Sequence, residues 1–171
     1  MKILLNLPDG AHADLVGHLL PSDSSREEAA FLFAKARPEN GGVAFDVVEV
    51  EMLAATDFET QEDDYLELHD ETRIRLIKKA HDLNTSLIEM HSHPGPWPAE
   101  FSRADRRGLG ETVPHMWWRL QKRPYIAIVV APSGFDALVW LDNPKVPNKL
   151  DGLIADGRLL SPTNNSIEGW K

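Results

Sequence analysis

The sequence contains no cysteine, and that absence excludes several chemistries at once. No disulfide framework, thiolate metal site or cysteine nucleophile can form, and a zinc site of the cytidine-deaminase kind lacks its ligands. Any apolar run long enough to cross a bilayer is also missing. The opening Met1–Pro8 segment is too short for a signal-peptide core and has no small-residue cleavage site, so it reads as a strand. Basic charge is scarce: 18 Lys and Arg face 27 Asp and Glu, a net charge of −9, which speaks against holding nucleic acid by phosphate neutralisation. Basic residues do gather at Arg103, Arg106 and Arg107, and again at Arg119, Lys122 and Arg123. They form either a solvated helix face or a basic lip for an acidic partner. A cytoplasmic protein with neither nucleic acid nor membrane as partner is expected.

With 171 residues, 42% apolar and 26% charged, the chain suits one globular domain with one core, spanning 1–171. Residues 2–8 predict a first strand, and Glu27–Ala36, rich in Ala, Leu and Phe, predicts a buried helix. Val43–Leu53 alternates in part and predicts a long strand. The acidic stretch 56–70 reads as an exposed loop or short strand. Residues 71–83 carry Ile74, Leu76, Ile77, Ala80 and Leu83 on one broad face and predict a helix ending near Asn84. Ser86–Met90 predicts a strand, Ser102 opens a helix that Pro114 could break, and Tyr125–Ala131 with Phe135–Leu141 predicts a hairpin. From about 142 onward the chain is expected to be irregular, with one short strand near Arg158–Leu160. Strands alternating with helices predict an α/β fold, a single layered domain with a mixed β-sheet flanked by helices.

The chemistry gathers around His91-Ser92-His93-Pro94. Alternation along a strand points both imidazoles the same way and Ser92 the other, while Pro94 turns the chain out of the sheet. By itself such a pair is as readily a hydrogen-bonded structural feature as a metal site. Seven residues after Pro94 comes Ser102-Arg103-Ala104-Asp105, whose first and last members share a helix face. Ser-x-x-Asp at a helix start is also a capping arrangement, and both readings can hold together.

Together these residues reproduce, in type and spacing, the JAMM motif, and over about residues 20–141 the chain resembles the MPN/JAB zinc metalloproteases. The resemblance implies an MPN/JAB, cytidine-deaminase-like architecture and one zinc per chain held by His91, His93 and Asp105. It also implies an upstream glutamate followed three and seven residues later by small residues, normally glycine. Glu27 meets that spacing with Ala30 and Ala34, whereas Glu28 is followed by Phe31 and Lys35. Glu27 is therefore the expected general acid/base, although it also lies in a possible capping box with Ser24.

Three protein ligands leave zinc an open position for water, the catalytic rather than the structural pattern, and zinc lowers that water's pKa to about 7. Glu27 would then carry the proton to the departing amine, and the Ser102 hydroxyl would stabilise the oxyanion. The resemblance implies a prokaryotic-type, deubiquitinase-like isopeptidase acting at the C-terminal tail of a ubiquitin-like protein or its conjugate, with a partner protein of a conjugation system. Trp97 and Phe101, between the ligands, either line a peptide groove or pack onto the domain; Trp117 and Trp118 are expected in the core. Two other readings are a non-catalytic MPN scaffold and a zinc amidase acting on a small peptide or amino-acid adduct. A DNA-associated relative carrying His-Asn-His-Pro is disfavoured by Ser92 and by the acidic charge.

Overall fold

Between Ala29 and Phe33, odd residues bury on one side of a sheet and even residues on the other, because the segment is a strand with covered faces. The structure, a computed structural model, describes residues 1–170. In chain order its elements are β1 (Lys2–Asn6), α1 (Ala11–Leu19), β2 (Ala29–Glu39), β3 (Gly42–Met52), β4 (Phe58–Gln61) and β5 (Leu66–Leu68). Then follow α2 (Asp70–Leu83), β6 (Ser86–Ser92), α3 (Arg103–Arg119), β7 (Tyr125–Ala131) and β8 (Gly134–Trp140). The chain closes with β9 (Asn148–Lys149), β10 (Gly152–Ala155), β11 (Arg158–Leu160) and α4 (Asn165–Glu168).

Nine strands form one mixed sheet in the order β11-β10-β1-β3-β2-β6-β7-β8-β9, and β4 and β5 make a separate hairpin. The fold is thus mixed α/β. The sheet separates two apolar clusters. One, on the α1 side, holds Leu15, Leu19, Leu32, Phe45, Ile88 and Ile126. The other, on the α2 and α3 side, holds Phe31, Phe33, Leu76, Leu87, Val113 and Trp140. Among the described residues no helix is long and apolar enough to cross a membrane.

Three expectations fail here. The helix expected over Glu27–Ala36 is the strand β2, paired with β3 on one side and β6 on the other. Its Ala- and Leu-rich composition favours helix, but a central strand covered on both faces reads as the same unbroken apolar run. Pro114 does not break α3, which runs continuously to Arg119. The missing amide removes one bond to Gly110, an exposed position where the carbonyl can turn to solvent. The third is the stretch from 142, which is not irregular: β10 pairs in parallel with β1, and β9 extends the other edge.

That C-terminal stretch is tied to the body through Asp136, fully buried on β8. Its carboxylate accepts from the backbone N–H groups of Asn164 (3.0 Å) and Ser166 (2.8 Å), besides that of Ala137. Ser166 Oγ in turn accepts from Phe101 N (2.9 Å), and the Thr163 hydroxyl donates to Ala99 O (2.7 Å). The last residues therefore fix the loop that enters α3. Asp136→Ala leaves buried donors unpaired and is expected to lower unfolding stability by about 3 kcal/mol in urea titrations, whereas a loss under about 1 kcal/mol would show that α4 docks without it.

Candidate metal centre

The register of β2 and β6 decides which side chains meet. Ala29 faces His91 across the antiparallel pair, so continuing the pairing two residues outward sets Glu27 opposite His93. Opposed residues share a face, which puts Glu27, Ala29, His91 and His93 together on the α2 and α3 side. Glu28 falls on the other side of the chain; its N–H donates to Ser92 Oγ (2.9 Å), and Ser92 N donates to Glu28 O (3.0 Å). Ser92, fully buried, is thus the pin that carries the β2–β6 pairing to its end. Glu27 is held by the β4–β5 hairpin, donating from its N–H to Glu62 O and accepting at its carbonyl from the Gln61 amide (3.0 Å). The acidic stretch therefore borders the site.

From the other direction, α3 brings Asp105. Ser102 caps this helix: its Oγ accepts from Asp105 N (3.0 Å), and its N–H donates to Asp105 Oδ2 (2.9 Å). The same Oδ2 lies 3.3 Å from His91 Nε2 and 3.0 Å from His93 Nε2, and the two Nε2 atoms are 3.2 Å apart. Capping and convergence on the imidazoles are thus one geometry. Because Ser102 Oγ receives its hydrogen bond from the helix, its own hydrogen is left to donate outward.

Glu27, His91 and His93 each offer a ligand atom, all within 4.8 Å of one another, a group able to hold a metal ion. The Asp105 triangle with the two histidines is the tighter one. Ligands about 2.1 Å from a tetrahedral centre stand roughly 3.4 Å apart, close to the separations seen here. Two imidazoles with one carboxylate is a donor set that suits zinc and neighbouring first-row ions.

The electrostatics are those of groups pressed together away from water. Burial pushes the Glu27 carboxyl up to about 7; the imidazoles pull it down, and Asp105 and Asp64 add to the rise. For His91, burial acts downward but is outweighed by the hydrogen bond and charge of Asp105, with help from Glu27 and Glu89, and its pKa reaches about 9. Burial also acts against the Asp105 carboxylate, yet hydrogen bonds from both histidines hold its pKa well below the usual range.

Of the two loop aromatics, Phe101 is not a groove residue. It is buried, with its ring centroid 5.8 Å from that of His91, and backs the ligand. Trp97 stands 72% exposed beside the ligand loop. Trp117 is in the core as expected, but Trp118, one residue on, faces solvent. Arg103, Arg106 and Arg107 line a cleft with Lys145 and Trp170 on the side of α3 away from Asp105. The sequence reading missed Glu89, although it precedes His91 by two and so shares its face. Glu89 Oε1 accepts from the Tyr125 hydroxyl (2.8 Å), and burial raises its pKa. The chain matches no protein-family model and no curated protein.

Proposed function

We propose that this chain is a zinc-dependent peptidase of JAMM type with MPN/JAB architecture, hydrolysing a peptide or isopeptide bond at the C-terminal tail of a ubiquitin-like protein. One observation carries the reading: Nε2 of His91, Nε2 of His93 and Oδ2 of Asp105 converge within 3.3 Å from two independently anchored elements, with a buried glutamate beside them. A purely structural histidine pair has no need of two carboxylates.

In this reading His91, His93 and Asp105 hold the ion, which supplies Lewis acidity toward the scissile carbonyl and toward water. Glu27 takes a proton from the attacking water and delivers it to the departing amine nitrogen, a task for which its place beside the two imidazoles suits it. The outward hydrogen of Ser102 meets the negative charge that develops on the carbonyl oxygen. Phe101 and the β4–β5 hairpin limit water around the group. Exposed Trp97 offers a surface for the substrate's tail.

The test begins with metal content, measured on untagged protein purified without chelator. About one zinc per chain is expected, together with cleavage of a ubiquitin-like fusion that stops when the metal is removed and resumes when zinc returns. A protein that stays metal-free with zinc supplied would instead be a non-catalytic scaffold.

A further inference from the structure

The cleft on the side of α3 away from Asp105 has a volume of about 870 Å³ and lies between the first half of that helix and Pro144, Lys145, Gly169 and Trp170. Arg103, Arg106, Arg107 and Lys145 bring four cations to it, and Glu100 is the only carboxylate in its lining. In a chain of net charge −9 this gathering of one sign has no local counterweight, because none of the four makes an ion pair among the described residues. Arg106 and Arg107 stand three and four residues after Arg103, neighbours on a helix that repel one another. Side chains on a merely solvated face would also be loose, and Arg106 is not. It is partly buried, its Nε donates to Phe101 O (3.2 Å), and its guanidinium lies over Gly169, where a Cβ would overlap it. Its two terminal nitrogens have no hydrogen-bond partner among the described residues. The indole of Trp170 is fixed as well, donating from Nε1 to Lys145 O (3.2 Å) and meeting Trp140 edge-on with ring centroids 5.5 Å apart.

We infer that this cleft binds a small ligand carrying adjacent phosphoryl groups, held among Arg103, Arg106, Arg107 and Lys145 with Trp170 beside it. Guanidinium forks match phosphoryl oxygens two at a time, and a guanidinium fixed beforehand loses little freedom on binding. One phosphoryl group concentrates about two negative charges and three acceptor oxygens, whereas a peptide carboxylate brings a single charge. Two such groups side by side therefore answer four clustered cations better than acidic side chains spaced along a chain. The volume lies within the range of small-molecule sites. A long polyanion would run past the cleft onto the acidic remainder of the surface and be repelled there, while a small one stays among the cations. The site stands whether or not the metal centre is catalytic.

Calorimetry and thermal unfolding test this with adenosine diphosphate and inorganic diphosphate, on metal-free protein and without magnesium so that no ion competes for the phosphates. Binding is expected to raise the unfolding temperature and to weaken as salt is added. Tighter binding of adenosine diphosphate assigns the site to an organic phosphate resting on Trp170; diphosphate binding at least as tightly assigns it to the free anion. Arg106→Gln should lower the affinity by about 10-fold or more. The double variant Arg103→Gln, Arg107→Gln alters exposed positions and leaves the Arg106 bond to Phe101 in place, and it should do the same. Gly169→Ala changes no charge but displaces the Arg106 guanidinium, so it too should weaken binding. If neither phosphate binds at millimolar concentration, or if affinity is unchanged in all three variants, the inference is overturned. A hexaglutamate peptide or a short oligonucleotide that binds more tightly than either phosphate would overturn it as well, making the cleft a docking surface for a macromolecule.

Discussion

Asp105→Ala is expected to give a folded protein that retains little or no metal and has no measurable turnover. The triangle of Nε2, Nε2 and Oδ2 supplies every short contact among the proposed ligands, and removing its only carboxylate leaves the two imidazoles without their shared partner. Even a change outside the ligand set typically weakens metal binding by about 10–100-fold, so loss of a ligand should weaken it by at least about 100-fold. The same substitution removes half of the Ser102 capping box, at a cost of about 1 kcal/mol. Asp105→Asn separates the two effects, because it can still accept from Ser102 N while lacking the charge. A metal must also displace a proton here, since His91 is held protonated up to about pH 9 in the metal-free protein. Zinc affinity should therefore fall as the pH is lowered from about 9, and metal titration with a competing chelator measures it. An Asp105→Ala protein that still copurifies with one zinc would move the third ligand to Glu27, the other carboxylate within reach.

What the sequence disclosed and what it hid follow from the range of the interactions involved. The His91, His93, Ser102 and Asp105 pattern was readable because each pair is local: two residues along a strand, three along a helix turn. Glu27 was singled out through the spacing that the family resemblance implies, but it was expected in a helix, whereas it lies just ahead of the strand β2. The run Glu28-Ala-Ala-Phe-Leu-Phe-Ala-Lys has the composition of a helix, and only pairing with β3 and β6 makes it a strand. Alternation from His91 puts Glu27 on the ligand face and Glu28 against Ser92. Helix α1 escaped notice because only Leu15 and Leu19 mark its buried face, a single i, i+4 pair with Gly17 between. Of the strands in the C-terminal stretch only β11, expected near Arg158–Leu160 and found there, had a local signature; β9 and β10 had none. β10 is a strand because β1, at the opposite end of the chain, lies free to pair with it, as Leu4 does with Gly152. Arg103, Arg106 and Arg107 meet Lys145 and Trp170 at one cleft only through packing of the last residues against α3, which no spacing encodes.

Glu27→Gln should separate fold, metal and chemistry most cleanly. The amide keeps the shape of the side chain, and none of the three short Nε2 and Oδ2 contacts involves Glu27, so zinc content should stay near one per chain. Turnover should fall by about 100- to 10,000-fold, the usual share of a positioned proton carrier. Glu28→Gln, altering a residue that faces away, should change turnover less than about twofold. Stability supplies a second signature with a definite sign. In the metal-free fold the Glu27 carboxyl keeps its proton to about pH 7, whereas in the unfolded chain it ionises near 4.5. As the pH rises between those values the unfolded chain loses its proton first, so folding stability drains away and stays lost above the upper one. The loss amounts to about 3 kcal/mol, and glutamine, which does not titrate, removes it. Metal-free Glu27→Gln should therefore match the parent protein in urea unfolding at about pH 4 and exceed its stability at about pH 8. A carboxylate that weakens the fold it sits in is expected where function, not packing, fixes the residue. Near-normal turnover in Glu27→Gln would assign the proton transfer to another group, and equal stability at the higher pH would mean that Glu27 ionises freely in the folded protein.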